Sequence, residues 1–191
     1  MPRAGLTTHT VIDTAARMLD EHGDDGLNTA SLAELLGVKP PSLYKHIDGM
    51  AGLRRSIMLR AKAELAHELG QAAIGAAREE AVHCSAAAYR KWAKAHPGQY
   101  PLTMRAPVTG DPEDEHTSSV LVNTLYTILS GFRLEGDDLV DAARYFRSVL
   151  HGFVDLETTH AFQLPRDIDR SFTCAVHSVT SALAAWGSST E

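Results

Sequence analysis

Three pairs of a histidine and a carboxylate lie one helical turn apart in this sequence, a spacing that lets both side chains bind one metal ion. The pairs are Glu79 with His83, Glu113 with His116, and His151 with Asp155. Only the middle pair has the Glu-x-x-His spacing of di-metal carboxylate bundles, which need two such motifs on facing helices. It lies in the polar run DPEDEH, where acidic residues favour the positive end of a helix dipole. The sequence therefore predicts no metal, no cofactor and no catalytic residue.

A different set of polar side chains lies in the stretch GVKPPSLYKHI, residues 37–47. We expect a short helix to begin at Pro41, because a proline disfavours helical geometry in the residue before it. Val38, Leu43 and Ile47 would then face inward. The outward set would be Lys39, Pro40, Ser42, Lys45 and His46, with Tyr44 at its margin.

This predicted surface has the chemistry of a DNA contact. Lys39 supplies a positive charge for phosphate at a helix start where two prolines have no N–H to donate. The rings of Pro40 and Pro41 suit a thymine methyl group, and Lys45 is placed to reach a guanine edge. The candidate phosphate donors are Ser42, Tyr44 and His46. The alternative is a helical hairpin that only packs.

Apolar residues recur at helical spacing through most of the chain, and glycines and prolines separate the helical segments. The first predicted helix covers residues 7–22, and Asn28 caps a second that ends at Gly37. A long amphipathic helix follows from residue 48 or 49 to about residue 70. The remaining predicted helices cover residues 77–95, 98–106, 113–134, 137–161 and 167–186. No segment alternates with period two, so the sequence predicts an all-α fold of about nine helices.

Charge and composition limit the class of protein. The net charge is −6, yet residues 1–62 carry eight Lys and Arg against seven Asp and Glu. This division permits a DNA-facing N-terminal part. No apolar run approaches the roughly 20 residues that span a bilayer, and the N-terminus lacks the apolar middle of a secretion signal, so we expect a cytoplasmic protein with no membrane partner. Cys84 and Cys174 are expected to be small buried side chains.

The segment TASLAELLGVKPPSLYKHI resembles the helix-turn-helix of the TetR/AcrR family of transcriptional regulators, and the similarity covers about residues 7–60. The matching residues are Gly37, Val38, Ser42, Leu43, Tyr44 and His46. Asn28, a further candidate DNA-contact residue, stands where the family often has Thr, and Ile47 stands where it usually has Phe. Met50 replaces a Lys that commonly holds a phosphate, so Arg54 or Arg55 would have to supply that contact.

Two later segments, YRKWAKAHPGQYPLTM and RSVLHGFVDLE, resemble a subgroup whose regulatory domain carries a Trp and a His-Gly signature. The resemblance implies a DNA-binding domain over residues 1–49 and a helical regulatory domain over residues 50–191. Such regulators bind double-stranded operator DNA as homodimers and enclose a pocket whose small-molecule effector releases the DNA. The resemblance therefore implies a repressor. The alternative is a helical metal-binding or enzymatic protein with a family-like N-terminus.

Two residue sets are candidates for the regulatory contacts. The effector, expected to be mainly apolar or aromatic, would lie among Trp92, Tyr100, Met104, Tyr126 and His151, although each of these could be ordinary core. The last helix also carries a row of small residues at three-four spacing, Ser171, Cys174, Ser178, Ser181 and Ala185. Small residues let another helix come close, so we expect this row and residues 137–161 to form a four-helix interface across a two-fold axis.

Overall fold

The computed structural model describes residues 6–188 and, within that range, contains helices and no strands. The helices are α1 (Thr8–Gly26), α2 (Thr29–Leu35), α3 (Pro40–Leu43), α4 (Gly49–Ala73), α5 (Glu79–Ala95), α6 (Tyr100–Thr103), α7 (Pro112–Leu129), α8 (Gly136–Thr158) and α9 (Ile168–Ser188). The predicted all-α class is therefore confirmed.

Several helix ends differ from the predicted ones, and local geometry explains those of α3, α6 and α8. α3 begins at Pro40 and not at Pro41, because both prolines occupy the first turn, where no N–H donor is needed. α6 covers only part of the predicted 98–106, and Pro107 disfavours helical geometry in Ala106, where the predicted helix was to end. α8 ends at Thr158, since the chain turns at His160 with a φ of +56°.

The first three helices share one hydrophobic core with the first half of α4. Asn28 caps α2, because its Oδ1 accepts hydrogen bonds from the backbone N–H groups of Ala30 and Ser31 at 3.1 and 3.0 Å. Gly37 follows α2 with a φ of +65°, a conformation that favours glycine. The buried side chains include Val11, Leu19, Leu32, Leu43, Leu53, Ile57 and, from α6, Leu102. This core fixes α3 between α2 and α4.

α4 connects that core to a second, larger one. The second core contains buried side chains of α4, α5, α7, α8 and α9. Along α4 the buried residues pass from the first core to the second between Leu59 and Ala61. The predicted domain boundary, between residues 49 and 50, falls in the first turn of α4, before the point where its buried residues change core. Because α4 belongs to both cores, its position links the two parts of the molecule.

An ion-pair network holds α5, α8 and α9 together. Arg90 donates to both carboxylate oxygens of Glu157 at 2.6 and 2.7 Å and to Asp169 at 2.7 Å. Its guanidinium also lies 4.8 Å from the centre of the Phe172 ring. The hydrogen bonds from Arg90 hold the pKa of Glu157 below its usual value. The network fixes the outer faces of α8 and α9 relative to each other.

The cysteines are less buried than predicted. Cys84 is half-buried and Cys174 is exposed, since the helical spacing from the buried Phe172 and Val176 turns Cys174 outward. Over residues 6–188, no helix has both the length and the apolar character that crossing a membrane requires.

Candidate DNA-contact surface and effector cavity

α3 presents one continuous outer surface. Leu43 is completely buried and anchors the helix in the N-terminal core. The exposed residues around it are Lys39, Pro40, Pro41, Tyr44 and Lys45, while Ser42 and His46 are half-buried. Tyr44 is 58% exposed, further out than the margin predicted for it. The surface combines two cations, a phenol and an apolar knob, which together suit phosphates and base edges.

The residues beside α3 differ in their availability. Asn28 is exposed, but its side-chain oxygen is occupied by the α2 cap. Met50 is half-buried against the N-terminal core. Arg54 donates to the exposed Asp24 at 2.9 Å, a pair that a phosphate can replace at little cost. Arg55 is bound to Asp111 and to Glu113 of α7, so Arg54 is the more available of the two arginines for the phosphate contact predicted in place of Met50.

Two basic residues of α4, Arg55 and Lys62, form three ion pairs at the N-terminal end of α7. Arg55 donates to both carboxylate oxygens of Asp111 at 2.6 and 2.7 Å and to Glu113 at 2.9 Å. The hydrogen bonds from Arg55 lower the pKa of Asp111 to about 2. Deeper in the molecule, Lys62 Nζ lies 2.7 Å from Asp114 Oδ1, and the two side chains are 1% and 0% exposed. Buried charges of this kind are found only when they are paired.

Asp114 is ionised in spite of its burial. Burial raises its pKa. The opposing effects together are larger: they are the hydrogen bond from Lys62, the hydrogen bond from the backbone N–H of Val108, the charge of Lys62 and the hydrogen bond from the Ser118 hydroxyl. The pKa of Asp114 therefore lies below its usual value. The same carboxylate thus binds α4 and the loop before α7. We call the four side chains Arg55, Lys62, Asp111 and Asp114 the α4–α7 clamp.

A separate contact docks α1 on the turn between α5 and α6. Asp20 Oδ1 accepts from the backbone N–H groups of Gly98 and Gln99, both at 3.0 Å. Its Oδ2 accepts from Gln99 Nε2 at 2.6 Å and lies 3.1 Å from His96 Nδ1. A Cβ at residue 98 would overlap the carbonyl of Leu19 and lie 2.8 Å from the Asp20 nitrogen. The segment predicted only as a helix break is therefore a joint between the two parts of the molecule.

Three rings form a hydrogen-bonded chain in the larger core. The hydroxyls of Tyr89 and Tyr100 are 2.7 Å apart, and the Tyr100 hydroxyl lies 2.7 Å from His151 Nδ1. Burial raises the pKa of Tyr89 to about 12 and raises that of Tyr100 well above its usual value. Both side chains are therefore neutral phenols at physiological pH, each with a proton to donate.

A cavity of about 20 Å³ lies beside this chain, between α4, α5, α7 and α8. Its lining residues are Leu65, Leu69, Tyr89, Met104, Leu121, Val122, Leu125, Arg147 and Leu150. The space holds about one water molecule. Of the predicted effector residues, Met104 lines the cavity, while Tyr100 and His151 connect to it through Tyr89.

The other two predicted effector residues lie elsewhere in the core. Trp92 is buried with its ring 4.9 Å from that of His96, beside the turn that holds Asp20. Tyr126 is half-buried against the larger core without lining the cavity. Its neighbour Leu125 faces the cavity, and the next residue of a helix points about 100° away. These two residues are thus better described as packing residues.

Arg147 is the charged cavity residue that sequence reasoning missed. It precedes His151 by one helical turn on α8, so both side chains lie on one face. That spacing from a predicted pocket residue is the signal that could have found it. A lone arginine on a helix is more often fully solvated, and the sequence gives no sign that Met104 and Tyr89 approach it.

Comparison with known proteins agrees with this architecture. Residues 82–179 match the family described as "Tetracyclin repressor-like, C-terminal domain". The chain is 38% identical over 157 residues to an HTH-type transcriptional regulator of Mycobacterium tuberculosis, covering 82% of this chain and 72% of the relative. It is 30% identical over 182 residues to one of Bacillus subtilis, covering 95% of each. The chain belongs to the TetR family of transcriptional regulators. The predicted resemblance is confirmed.

Solved structures share the fold of this TetR-family regulator. BioQ of Mycobacterium smegmatis, solved with its natural double-stranded DNA operator, superposes with a TM-score of 0.68 at 22% identity, covering 95% of this chain and 99% of that one. ActR of Streptomyces coelicolor, solved in complex with (S)-DNPA, gives a TM-score of 0.69 at 18% identity, covering 96% and 100%.

The outer faces of α8 and α9 are open in the regulator's single chain. In the predicted row of small residues, Ser171 is half-buried, and the exposed members are Cys174, Ser178, Ser181 and Ala185. The hydroxyl of Ser178 donates to the Cys174 carbonyl of its own helix, so it needs no hydrogen-bond acceptor from a partner subunit. On α8, Ser148 and Gly152 are exposed and Leu156 is 44% exposed. The two faces together have the small side chains that close helix packing requires.

The histidine–carboxylate pairs do not gather into a metal site. Among the residues that the structure describes, no three His, Cys, Asp or Glu side chains are placed to hold one ion. In the third pair, His151 is hydrogen-bonded to Tyr100.

Proposed function

We propose that this TetR-family protein is a repressor that binds operator DNA as a homodimer and is released by a small, mainly apolar or aromatic effector. One observation carries the proposal. The helix that supports the DNA-contact surface through Leu53 and Ile57 also lines the cavity through Leu65 and Leu69. A single rigid element therefore joins the two candidate sites.

The size of the cavity supports a switch. An effector larger than water needs more than the 20 Å³ present, so it must separate the helices that line the cavity. α4 can move only together with the α3 surface that packs on its first half. A ligand that binds two states with equal affinity does not change the equilibrium between them, so the effector must bind the displaced state more tightly. Coupling of about 1–3 kcal/mol, or roughly 5- to 150-fold in operator affinity, is typical.

Two of the compared proteins support this scheme by their ligands. BioQ was solved with operator DNA and ActR with a small molecule, in folds like that of this chain. A larger surface groove of about 440 Å³ lies near the ends of α4 and α7 and is a second place for a ligand. Its hydroxyls at Thr124, Thr127 and Ser130 donate to backbone carbonyls, so the exposed Arg78 is the charged group among its otherwise mainly apolar lining residues. The polar groups that orient a ligand converge instead on the interior cavity.

Fluorescence anisotropy with DNA from upstream of the protein's own coding sequence tests the proposal. We expect salt-dependent, sequence-specific binding, and release by at least one compound that also raises the melting temperature. Binding no tighter than to unrelated DNA of the same length would contradict it. Metal analysis of the purified protein tests the metal-binding alternative, since such a protein would retain a stoichiometric ion.

Substitutions in the turn that directly follows α3 should separate DNA positioning from base recognition. Tyr44→Phe is expected to weaken binding to all DNA sequences alike, because a hydroxyl–phosphate contact carries no sequence information. Lys45→Ala should also relax preference at one base pair, by about 1–3 kcal/mol. Anisotropy titrations against single-base operator variants measure both effects. Lys91→Ala, an exposed lysine of α5, is the control. Parental affinity in both variants at moderate salt would mean that α3 does not contact DNA.

A large charged residue on α9 should disrupt the dimer. Ser178→Arg places a guanidinium in the row of small residues, where a partner helix would have to desolvate it. We expect monomers in analytical ultracentrifugation and loss of operator binding. Ser119→Arg, at an exposed serine of α7, should leave both unchanged. An intact dimer in Ser178→Arg would place the interface elsewhere.

A further inference from the structure

Arg147 has an unusual environment for a half-buried arginine. Five arginines in residues 6–188 are half-buried, and four of them bind a carboxylate: Arg54, Arg55, Arg60 and Arg90. Within the same range, no carboxylate pairs with Arg147, and its only hydrogen bond is from Nη2 to the Met104 sulfur at 3.7 Å. A thioether is a weak acceptor. The guanidinium therefore lacks the strong, negatively charged acceptor that a half-buried cation usually has.

A second donor approaches the same sulfur. The Tyr89 hydroxyl lies 3.9 Å from Met104 Sδ and 2.7 Å from the Tyr100 hydroxyl. Tyr89 can therefore direct its proton toward the sulfur whenever the Tyr100 hydroxyl donates to it. Two donors, one of them charged, converge on a flexible side chain at the edge of an apolar cavity. Strong acceptors suit such a position better than sulfur does.

The rest of the cavity has no charge to offer. Leu65, Leu69, Leu121 and Leu125 supply apolar walls from α4 and α7. One end of the cavity is therefore cationic and hydrogen-bonding, and the other is aliphatic. This polarity selects among small molecules by charge as well as by shape.

We propose that the effector is an organic acid, whose carboxylate displaces the Met104 sulfur and binds Arg147 and the Tyr89 hydroxyl while its apolar body lies among the leucines. The proposal rests on the proposed function, since it names the ligand class of the same cavity. It also explains how a small cavity opens: Met104 swings away, and the apolar body separates α4 from α7.

Matched acids and amides test the charge requirement. Benzoate, phenylacetate, 1-naphthaleneacetate and decanoate, each paired with its primary amide, are titrated against the full-length protein by isothermal calorimetry and thermal shift. We expect at least one acid to bind about tenfold or more tightly than its amide, because only the acid can form the charge-assisted hydrogen bonds. Equal binding of acid and amide in every pair, or no binding by any acid, would overturn the proposal.

Variants of Arg147 assign the preference to this side chain. Arg147→Gln should remove the difference between acid and amide, and Arg147→Lys, which keeps the charge, should retain part of it. Cooperative thermal unfolding checks that both variants fold. Arg105→Gln, at an exposed arginine after α6, should behave like the parent protein. An acid preference that survives in Arg147→Gln would overturn the proposal.

Operator release separates this inference from the proposed function. Acid binding that depends on Arg147 but leaves operator DNA bound would support the acid site and contradict the effector-release function. Release of operator DNA by a neutral compound, with no preference for acids, would support the function and overturn the acid site.

Discussion

Gly98→Ala is expected to disrupt the packing of α1 against the turn after α5 and to lower the stability of the protein. The added methyl would overlap the Leu19 carbonyl, and the backbone would have to move away from Asp20 to make room. That movement breaks hydrogen bonds to a carboxylate, at 3.0 Å from Gly98 and from Gln99. We expect a loss of about 2–4 kcal/mol in the free energy of unfolding, and weaker operator binding because α1 orients the DNA-contact surface. Urea unfolding at matched protein concentration measures the first effect.

Gly70→Ala is the matched control for this substitution. Gly70 lies inside α4, where a Cβ would meet only the Thr124 methyl at an ordinary 3.8 Å. Alanine there should stabilise the helix by up to about 1 kcal/mol. Asp20→Asn keeps the size of the acceptor but removes its charge, so it should show part of the loss. If Gly98→Ala is as stable as the parent protein, α1 does not pack on this turn in solution.

The same turn illustrates what local sequence patterns can predict. Pro97 and Gly98 correctly marked a helix break, because breaks depend on the backbone properties of a few residues. The role of Gly98 depends on α1, which is distant in sequence. The spacing of apolar residues within each of the two segments does not indicate that they are in contact. Helices and caps, such as Asn28 on α2, were therefore predictable, while the joint between the two parts was not.

The candidate sites divide in the same way. The outward side chains on and beside α3, such as Lys39 before it and Lys45 after it, follow from helical spacing around a single buried leucine, so the sequence predicts their exposure. Membership of the cavity depends on how four helices rotate against one another. Aromatic character alone led to Trp92 and Tyr126, whereas the structure turns Arg147 and Leu125 toward the cavity. Rotation about a helix axis is fixed by packing partners that one segment does not reveal.

α4 is held at two levels in this arrangement. Its first half packs beneath α3, and the α4–α7 clamp fastens its middle to the end of α7 through Arg55 and Lys62. The cavity lies beyond the clamp, at Leu65 and Leu69. Under the proposed function, an effector that opens the cavity would act on α4 across the clamp, and the strength of the clamp would set how much of that movement reaches α3.

Lys62→Met should have the largest effect of any single substitution in the clamp. It leaves the Asp114 carboxylate completely buried with hydrogen bonds from Val108 and Ser118 but no opposite charge. Stranding one member of a buried ion pair costs about 3–5 kcal/mol. We expect a corresponding fall in the free energy of unfolding, measured by urea denaturation at pH 7. Lys94→Met is the control, because Lys94 is half-exposed and its partner Glu157 keeps Arg90, so its loss should be at most about 1 kcal/mol.

The pH dependence identifies the stranded charge as the cause. In the parent protein the pKa of Asp114 lies below its usual value, so its contribution to stability is present above about pH 4 and is lost as the pH falls through the folded-state pKa. Without Lys62, we expect burial to outweigh the remaining hydrogen bonds from Val108 and Ser118 and to raise the pKa of Asp114 above its unfolded value, so that the folded variant gains stability as the pH falls. The stability difference between Lys62→Met and the parent should therefore narrow from pH 7 to pH 4. Adding Asp114→Asn to Lys62→Met removes the stranded charge, so the double variant should be more stable than Lys62→Met alone at pH 7. The stability difference between the double variant and the parent should change little between pH 7 and pH 4.

A difference between Lys62→Met and the parent that stays constant with pH would show that lost packing, and not the charge, accounts for the destabilisation.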